Sequence, residues 1–520
     1  MRELLLVAVG IMVALSGATA QLLSESPFES GPFVAANPVD THVLAGLKAK
    51  GLQPAKRCSD QVFVRRIYLD MIGTLPTPLE ARDFIADSSP DKRAALIEAL
   101  FARDEFADYW ALKWGDILRV KAEFPINLWP NAVQAYHRWI RDAVRDNKPY
   151  DEFARELLTS SGSNFRVPAV NFYRAAPDKQ PATIASAVAL SLMGTRLENW
   201  PEQQQADLAA FFSRIAFKST KEWKEEIVSL DPSVTEPLEV VFPDGTRARL
   251  EAGDDPREAF ANWLISPDND WFARSISNRV WSWFFGRGII HEPDDIRSDN
   301  PPVNPALLAY LEDELVRSGY DLRHLYRLIL NSATYQQSPV PEGDIEEATR
   351  LFGCYPIRRL EAEVLIDAFC WIGGDEQGYS SQVPEPFTFI PESHRAITLA
   401  DGSITGSFLE MFGRPPRDSG FESERNNNPT DAQQLYLLNS TDIRQKIERS
   451  PLLRRLAALT GGKRPQLVAA IYLAILSRYP TPAELRAATQ YFETSDLQPK
   501  QAADDLAWAL VNTKEFLYRH

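Results

Sequence analysis

Cysteine and histidine are scarce in this chain, at three and six among 520 residues. Cys58, Cys354 and Cys370 allow at most one disulfide and leave one thiol over, which excludes a disulfide framework. A Cys354–Cys370 bridge is weighed against Cys370 as a buried small hydrophobe in the apolar run 364–371. No cysteine pair has metal or haem spacing. None of His42, His137, His291, His324, His394 and His520 lies three or four positions from another, and no H-E-x-x-H occurs, so a zinc site is not expected. There is no G-x-S-x-G elbow and no Walker loop; Gly286-Arg287-Gly288 is too short to cradle phosphates. No Lys/Arg run offsets the net charge of −15, so neither nucleic acid nor an anionic membrane surface is an expected partner. Apolar runs of roughly 18 residues, the length that spans a bilayer, are missing as well.

What is present is apolar and aromatic. Hydrophobic residues make up 44% of the chain, with 12 Trp and 27 Phe, enough for real cores and incompatible with global disorder. The length predicts two or three domains. Arg2, the apolar run 4–15 and Ala18-Thr19-Ala20 have the form of an export leader cleaved after Ala20. The expected location is the periplasm or the exterior, with no membrane span once the leader is gone.

One stretch occurs twice. Ile67-Tyr68-Leu69, Pro76-Thr77-Pro78, Glu80 and Arg82 recur at the same offsets as Ile471-Tyr472-Leu473, Pro480-Thr481-Pro482, Glu484 and Arg486. Each copy leads to a Glu-Phe pair, Glu105-Phe106 and Glu515-Phe516. Thr77 and Thr481, with Glu at the third helical position, form capping boxes that start a helix after each turn. A repeated helix–turn–helix unit points to a mainly α fold whose two ends could pack as a pseudo-symmetric pair. Helices are expected over 60–71, 91–103, 105–121, 130–146, 150–160, 182–193, 205–217, 269–285, 304–318, 322–333, 358–371, 431–449 and 466–518. Around Pro243-Asp244-Gly245 the pattern alternates, which predicts a β-hairpin near 236–251. The expected organisation is a leader 1–20, a flexible segment 21–38 and a helical domain 39–220. A linker with the hairpin, 221–255, then leads to a second helical domain, 256–520, with a loop-rich insertion at 373–428.

These motifs carry a resemblance. Phe63-Val64-Arg65-Arg66-Ile67-Tyr68-Leu69-Asp70, the P-T-P turn and Trp114-Gly115-Asp116-Ile117-Leu118-Arg119 resemble domain-of-unknown-function family 1549. Asn278-Arg279-Val280-Trp281, Phe285-Gly286-Arg287-Gly288, Asp294-Asp295, Asn300-Pro301-Pro302 and Gln434-Leu435-Tyr436-Leu437-Leu438-Asn439 resemble its usual companion, family 1553. The resemblance covers nearly the whole chain after the leader. It implies a planctomycete or verrucomicrobial secreted protein, of a kind often fused to or encoded with cytochrome c modules. It also implies a co-secreted partner, sulfatase-like or cytochrome-type. Many relatives carry Cys-x-x-Cys-His before a Trp and a Phe-Phe helix. Here that stretch is 192–200, ending in Asn199-Trp200, with neither Cys nor His, so covalent haem c has no attachment point.

The sharpest polar constellation lies in two places: Arg279 with His291, Asp294, Asp295 and Arg297, and Arg414, Arg417, Glu424 and Arg425. Arg and carboxylate groups on loops can hold sugar hydroxyls or anionic substituents, or do acid–base work. The competing reading, given more weight, is a buried Arg–Asp network that locks loops onto helices. Calcium could sit among Asp268, Asn269 and Asp270, or Asp294, Asp295 and Asp299, although capping and turn roles outweigh this. Aromatics at helical spacing, Trp110 with Trp114 and Trp281 with Phe285, read as core. With no catalytic signature, the favoured function is an exported, non-catalytic binding or assembly protein acting with a co-secreted partner on surface or polysaccharide material. A glycan- or ester-acting enzyme using the Arg/Asp loops, and an electron-transfer protein with non-covalent haem, are the alternatives. Convergence of 290–297 and 414–426 in an open cleft would favour the enzyme.

Overall fold

The computed structural model describes residues 28–384, 386–388, 390, 394–495 and 497–520. The expected leader at 1–20, its cleavage point after Ala20, and residues 21–27 of the N-terminal segment lie outside these. The molecule is mainly α, with short strands in small sheets.

The repeated motif builds the same local structure twice. Helix Asp60–Ile72 ends on the left-handed Gly73, and helix Arg464–Leu476 ends on the left-handed Ser477. The next helices, Pro78–Ala86 and Pro482–Thr494, both open with the expected capping box. The two units touch: the Tyr479 amide donates to Gln61 Oε1 at 2.8 Å, and Arg65 donates to the carbonyls of Ile475 and Phe516, each at 2.9 Å.

Leu238–Val241 and Arg247–Leu250 pair as the expected antiparallel hairpin. Several helix predictions are corrected. The stretch read over 466–518 is divided among Arg464–Leu476, Pro482–Thr494, Pro499–Val511 and Lys514–Leu517, and that over 431–449 breaks at Ser440. The helix read over 205–217 stops at Ala210, and Ile215–Ser219 is a strand. It joins Glu226–Leu230 and Gly162–Ser163 in a three-stranded sheet, because Ile215 and Phe217 can alternate against a partner strand. The helix read over 358–371 begins at Ala362; Arg358–Arg359 instead pairs with Tyr518–Arg519. The helix read from 269 starts at Phe272, after a turn closed by Asn269. In the N-terminal segment Glu29–Gly31 pairs with Arg57–Cys58, so the part within the described residues is tied down rather than loose.

One apolar cluster runs through the molecule. It joins Trp110, Trp114 and Tyr136 from the first half to Trp281, Phe284, Phe352 and Phe412 from the second. Trp110 lies against Trp283 and Phe284, with ring centroids 5.2 and 5.6 Å apart. Burying each such aromatic contributes roughly 2–3 kcal/mol. The three cysteines are free thiols, with Cys58 and Cys354 buried, so the weighed Cys354–Cys370 bridge is not formed. No helix among the described residues is long and apolar enough to cross a membrane.

Candidate functional site

The segments 290–297 and 414–426 do converge, but in the interior. Arg279, on helix Phe272–Phe285, donates to Asp294 Oδ1 at 2.7 Å, and the Glu422 amide donates to Asp294 Oδ2 at 2.6 Å. Burial opposes the Arg279 charge, but Asp294 and Glu422 outweigh it and hold its pKa above the ordinary value. Arg417 is fully buried and donates to Asp116 Oδ1 at 2.8 Å and to the carbonyl of Ala400 at 2.7 Å. Arg425 bridges Asp116 and Glu363, both at 2.7 Å. Against the cost of burial, these pairs push Asp116 and Glu363 below the usual carboxylate range. Arg414 lies 3.3 Å from Glu363 and donates to the carbonyls of Ile404 and Asp401; burial, then the neighbouring Arg417, lowers its pKa to about 10. Glu424 accepts from the amides of Asp418 and Ser419. Arg417 and Arg425 thus tie the loop-rich insertion to Asp116 of the first-half helix Asp104–Ile117. Arg414 and Arg425 tie it to Glu363 of helix Ala362–Gly373, Arg279 with Asp294 holds it at Glu422, and Glu424 braces it internally.

Asp295 and Arg297 are placed differently. They line an open cleft of about 920 Å³ together with Trp200, Trp271, Asp270 and Glu312. His291 is exposed on the same loop; partial desolvation of its ring, then the neighbouring Arg287, lowers its pKa. The cleft lies at the seam of the chain's two halves. The 195–204 stretch forms one wall, the hairpin tip at Pro243 another, and segments 270–274 and 290–312 the rest. The local sequence explains the placement. Asn269 Oδ1 accepts from the amides of Trp271 and Phe272, closing a turn that presents Asp270 and Trp271 ahead of the helix. An aromatic ladder supports them: Phe242 packs on Trp263, Trp263 on Trp271 and Trp271 on Trp200, with centroids 5.7, 5.8 and 6.1 Å apart. Trp263 Nε1 donates to Asp244 at the hairpin tip, at 2.9 Å. Trp200 and Trp271 are half-buried, each with part of its surface toward the cleft.

Arg274, paired with Glu312 at 2.9 Å, was not singled out from sequence, nor was Glu312 itself. Burial pushes the Glu312 carboxyl above its usual range; Arg274 opposes this and Asp270 adds to it. No pattern marks Glu312, which sits on the ordinary polar face of helix Pro305–Arg317. Trp271 could have been found from its place beside the Asn269 turn.

Among the described residues no group of three or more His, Cys, Asp or Glu is arranged to hold a metal ion. Asp294, weighed as a calcium ligand, is taken by Arg279 and the Glu422 amide. The stretch 192–200 does not fit covalent haem either. It offers no thiol or imidazole, and Thr195 Oγ1 accepts from Trp200 Nε1 at 3.2 Å.

The fold and site define an α-helical scaffold with an aromatic-lined cleft between two halves. Residues 38–216 match the family model PSCyt2, described as a protein of unknown function (DUF1549), and residues 256–492 match PSD1, likewise of unknown function (DUF1553). The chain belongs to the proteins that combine these two families. No curated protein and no solved structure matches it.

Proposed function

We propose that this is an exported, non-catalytic binding or assembly protein that engages polysaccharide or surface material through the seam cleft, beside a co-secreted partner. The observation that carries this reading is the pair of half-exposed indoles, Trp200 and Trp271, that line an open cleft of about 920 Å³. Flat aromatic faces suit the apolar faces of sugar rings, and the surrounding Asp, Asn and Arg side chains suit their hydroxyls. Ligand sites favour such seams between parts of a chain. The arginines considered for an enzyme, Arg414 and Arg417, are buried and engaged by carbonyls and carboxylates.

The test is affinity electrophoresis and calorimetry of the full chain, without its leader, against a panel of soluble polysaccharides. Binding to at least one is expected. Trp200→Ala and Trp271→Ala should each weaken it by about tenfold or more, as for central aromatic anchors, with the far-UV spectrum unchanged. A chain that binds none, or binds as well without both indoles, would defeat the reading.

A further inference from the structure

The charges of the cleft narrow the kind of glycan it can take. Four carboxylates, Asp270, Asp295, Asp299 and Glu312, line it beside two guanidiniums, Arg274 and Arg297. Both guanidiniums are engaged. Arg274 Nε lies 2.9 Å from Glu312; Arg297 lies 3.2 Å from Asp295 and 3.4 Å from Asp299. Asp270 is exposed and makes no ion pair or hydrogen bond among the described residues. A sulfate or uronate group is held by free guanidinium or ammonium donors, usually bidentately. Here such a group would meet arginines already paired with carboxylates, neutral amide and hydroxyl donors, and a surplus of negative charge. The net charge of −15 adds a repulsive field at longer range.

We propose that the seam cleft is selective for glycans without acidic substituents, that Trp200 and Trp271 supply the stacking surface, and that Asp270 and Asp299 repel sulfated and uronate chains. This rests on the glycan-binding reading above. The two solvent-facing carboxylates are the specificity-determining residues, because Asp295 and Glu312 are largely covered beside their arginines, whereas Asp299, although 3.4 Å from Arg297, keeps 72% of its side chain exposed and Asp270 is exposed as well. Hydroxyl-only and amine-bearing sugars meet no such repulsion: they can donate to Asp270 and Asp299, and an ammonium is attracted.

The experiment uses the full chain without its leader and three probes of similar length: a neutral β-glucan oligosaccharide, a chitosan oligosaccharide and a sulfated galactan oligosaccharide. They are titrated at low and at physiological salt. The neutral or the amine-bearing probe should bind at least about tenfold more tightly than the sulfated one at low salt. The gap should narrow as salt screens the carboxylates. Asp270→Lys with Asp299→Lys should close or reverse the gap, while Asp270→Asn with Asp299→Asn should only reduce it. Tight sulfated-galactan binding by the unaltered chain would overturn the selectivity and leave the glycan-binding reading standing. A gap that the lysine variant leaves unchanged would overturn the roles of Asp270 and Asp299. Binding of none of the three probes, nor of any polysaccharide in the wider panel, would remove both proposals.

Discussion

Two glycines far apart in sequence make room for one arginine. A Cβ at Gly115 would lie 3.0 Å from the Arg417 guanidinium carbon, and one at Gly402 would lie 2.9 Å from its Cδ. Arg417 therefore passes edge-on between helix Asp104–Ile117 and the insertion, reaching Asp116 and three carbonyls, those of Leu112, Val120 and Ala400. In an open helix Gly→Ala gains about 1 kcal/mol of propensity. At position 115 the fixed guanidinium should reverse that sign, so Gly115→Ala is expected to lose about 1–3 kcal/mol by overpacking. Arg417→Ala should lose about 3–5 kcal/mol, since Asp116 would keep only Arg425. Chemical denaturation of both variants measures this, and a stabilised Gly115→Ala would contradict the slot. The Trp114-Gly115-Asp116 motif was legible in the sequence. Its purpose was not, because the partner that explains both Gly115 and Asp116 lies some three hundred positions away.

At the scale of elements, the repeat kept its chemistry and moved its cation. In the first copy Arg103 reaches Glu80 at 2.8 Å and Glu105 at 2.7 Å, above the ring of Tyr68. In the second, Arg478 reaches Glu484 at 2.8 Å and Glu515 at 2.6 Å, above the ring of Tyr472. Tyrosine and glutamates correspond; Arg103 precedes the Glu105 helix, whereas Arg478 sits in the turn after Ser477. Side-chain exposure separates the two, 33% for Arg103 and 4% for Arg478. Arg103→Ala is therefore expected to cost below about 1 kcal/mol and Arg478→Ala about 3 kcal/mol, by thermal and denaturant melts. Equal costs would refute the distinction. The capping boxes at Thr77 and Thr481 were readable because an N-cap is a four-residue code. Strand Ile215–Ser219 was not, since a short apolar stretch takes its state from the partner that covers it, here Glu226–Leu230. The Arg/Asp loops were legible as a cluster, but their burial depended on long-range packing that sequence spacing does not record.

The molecule as a whole is tied through Asp70. Its carboxylate accepts from the hydroxyls of Tyr335 and Tyr355, both at 2.8 Å, and lies 3.1 Å from Arg358 and from Arg519. Asp70 lies in the first family segment, Tyr335, Tyr355 and Arg358 lie in the second, and Arg519 follows it. With a continuous apolar cluster around this hub, unfolding should be one cooperative transition. Calorimetry should give equal calorimetric and van't Hoff enthalpies, and residues 28–255 expressed alone should lack a sharp melt. Two separate transitions would show that the halves fold independently. The seam cleft inherits this coupling. Its walls come from both halves and from the hairpin between them, so whatever settles there grips all three at once. Occupancy would then act as a clamp on the tertiary arrangement, and anything that pried the halves apart would, by the same linkage, eject the guest.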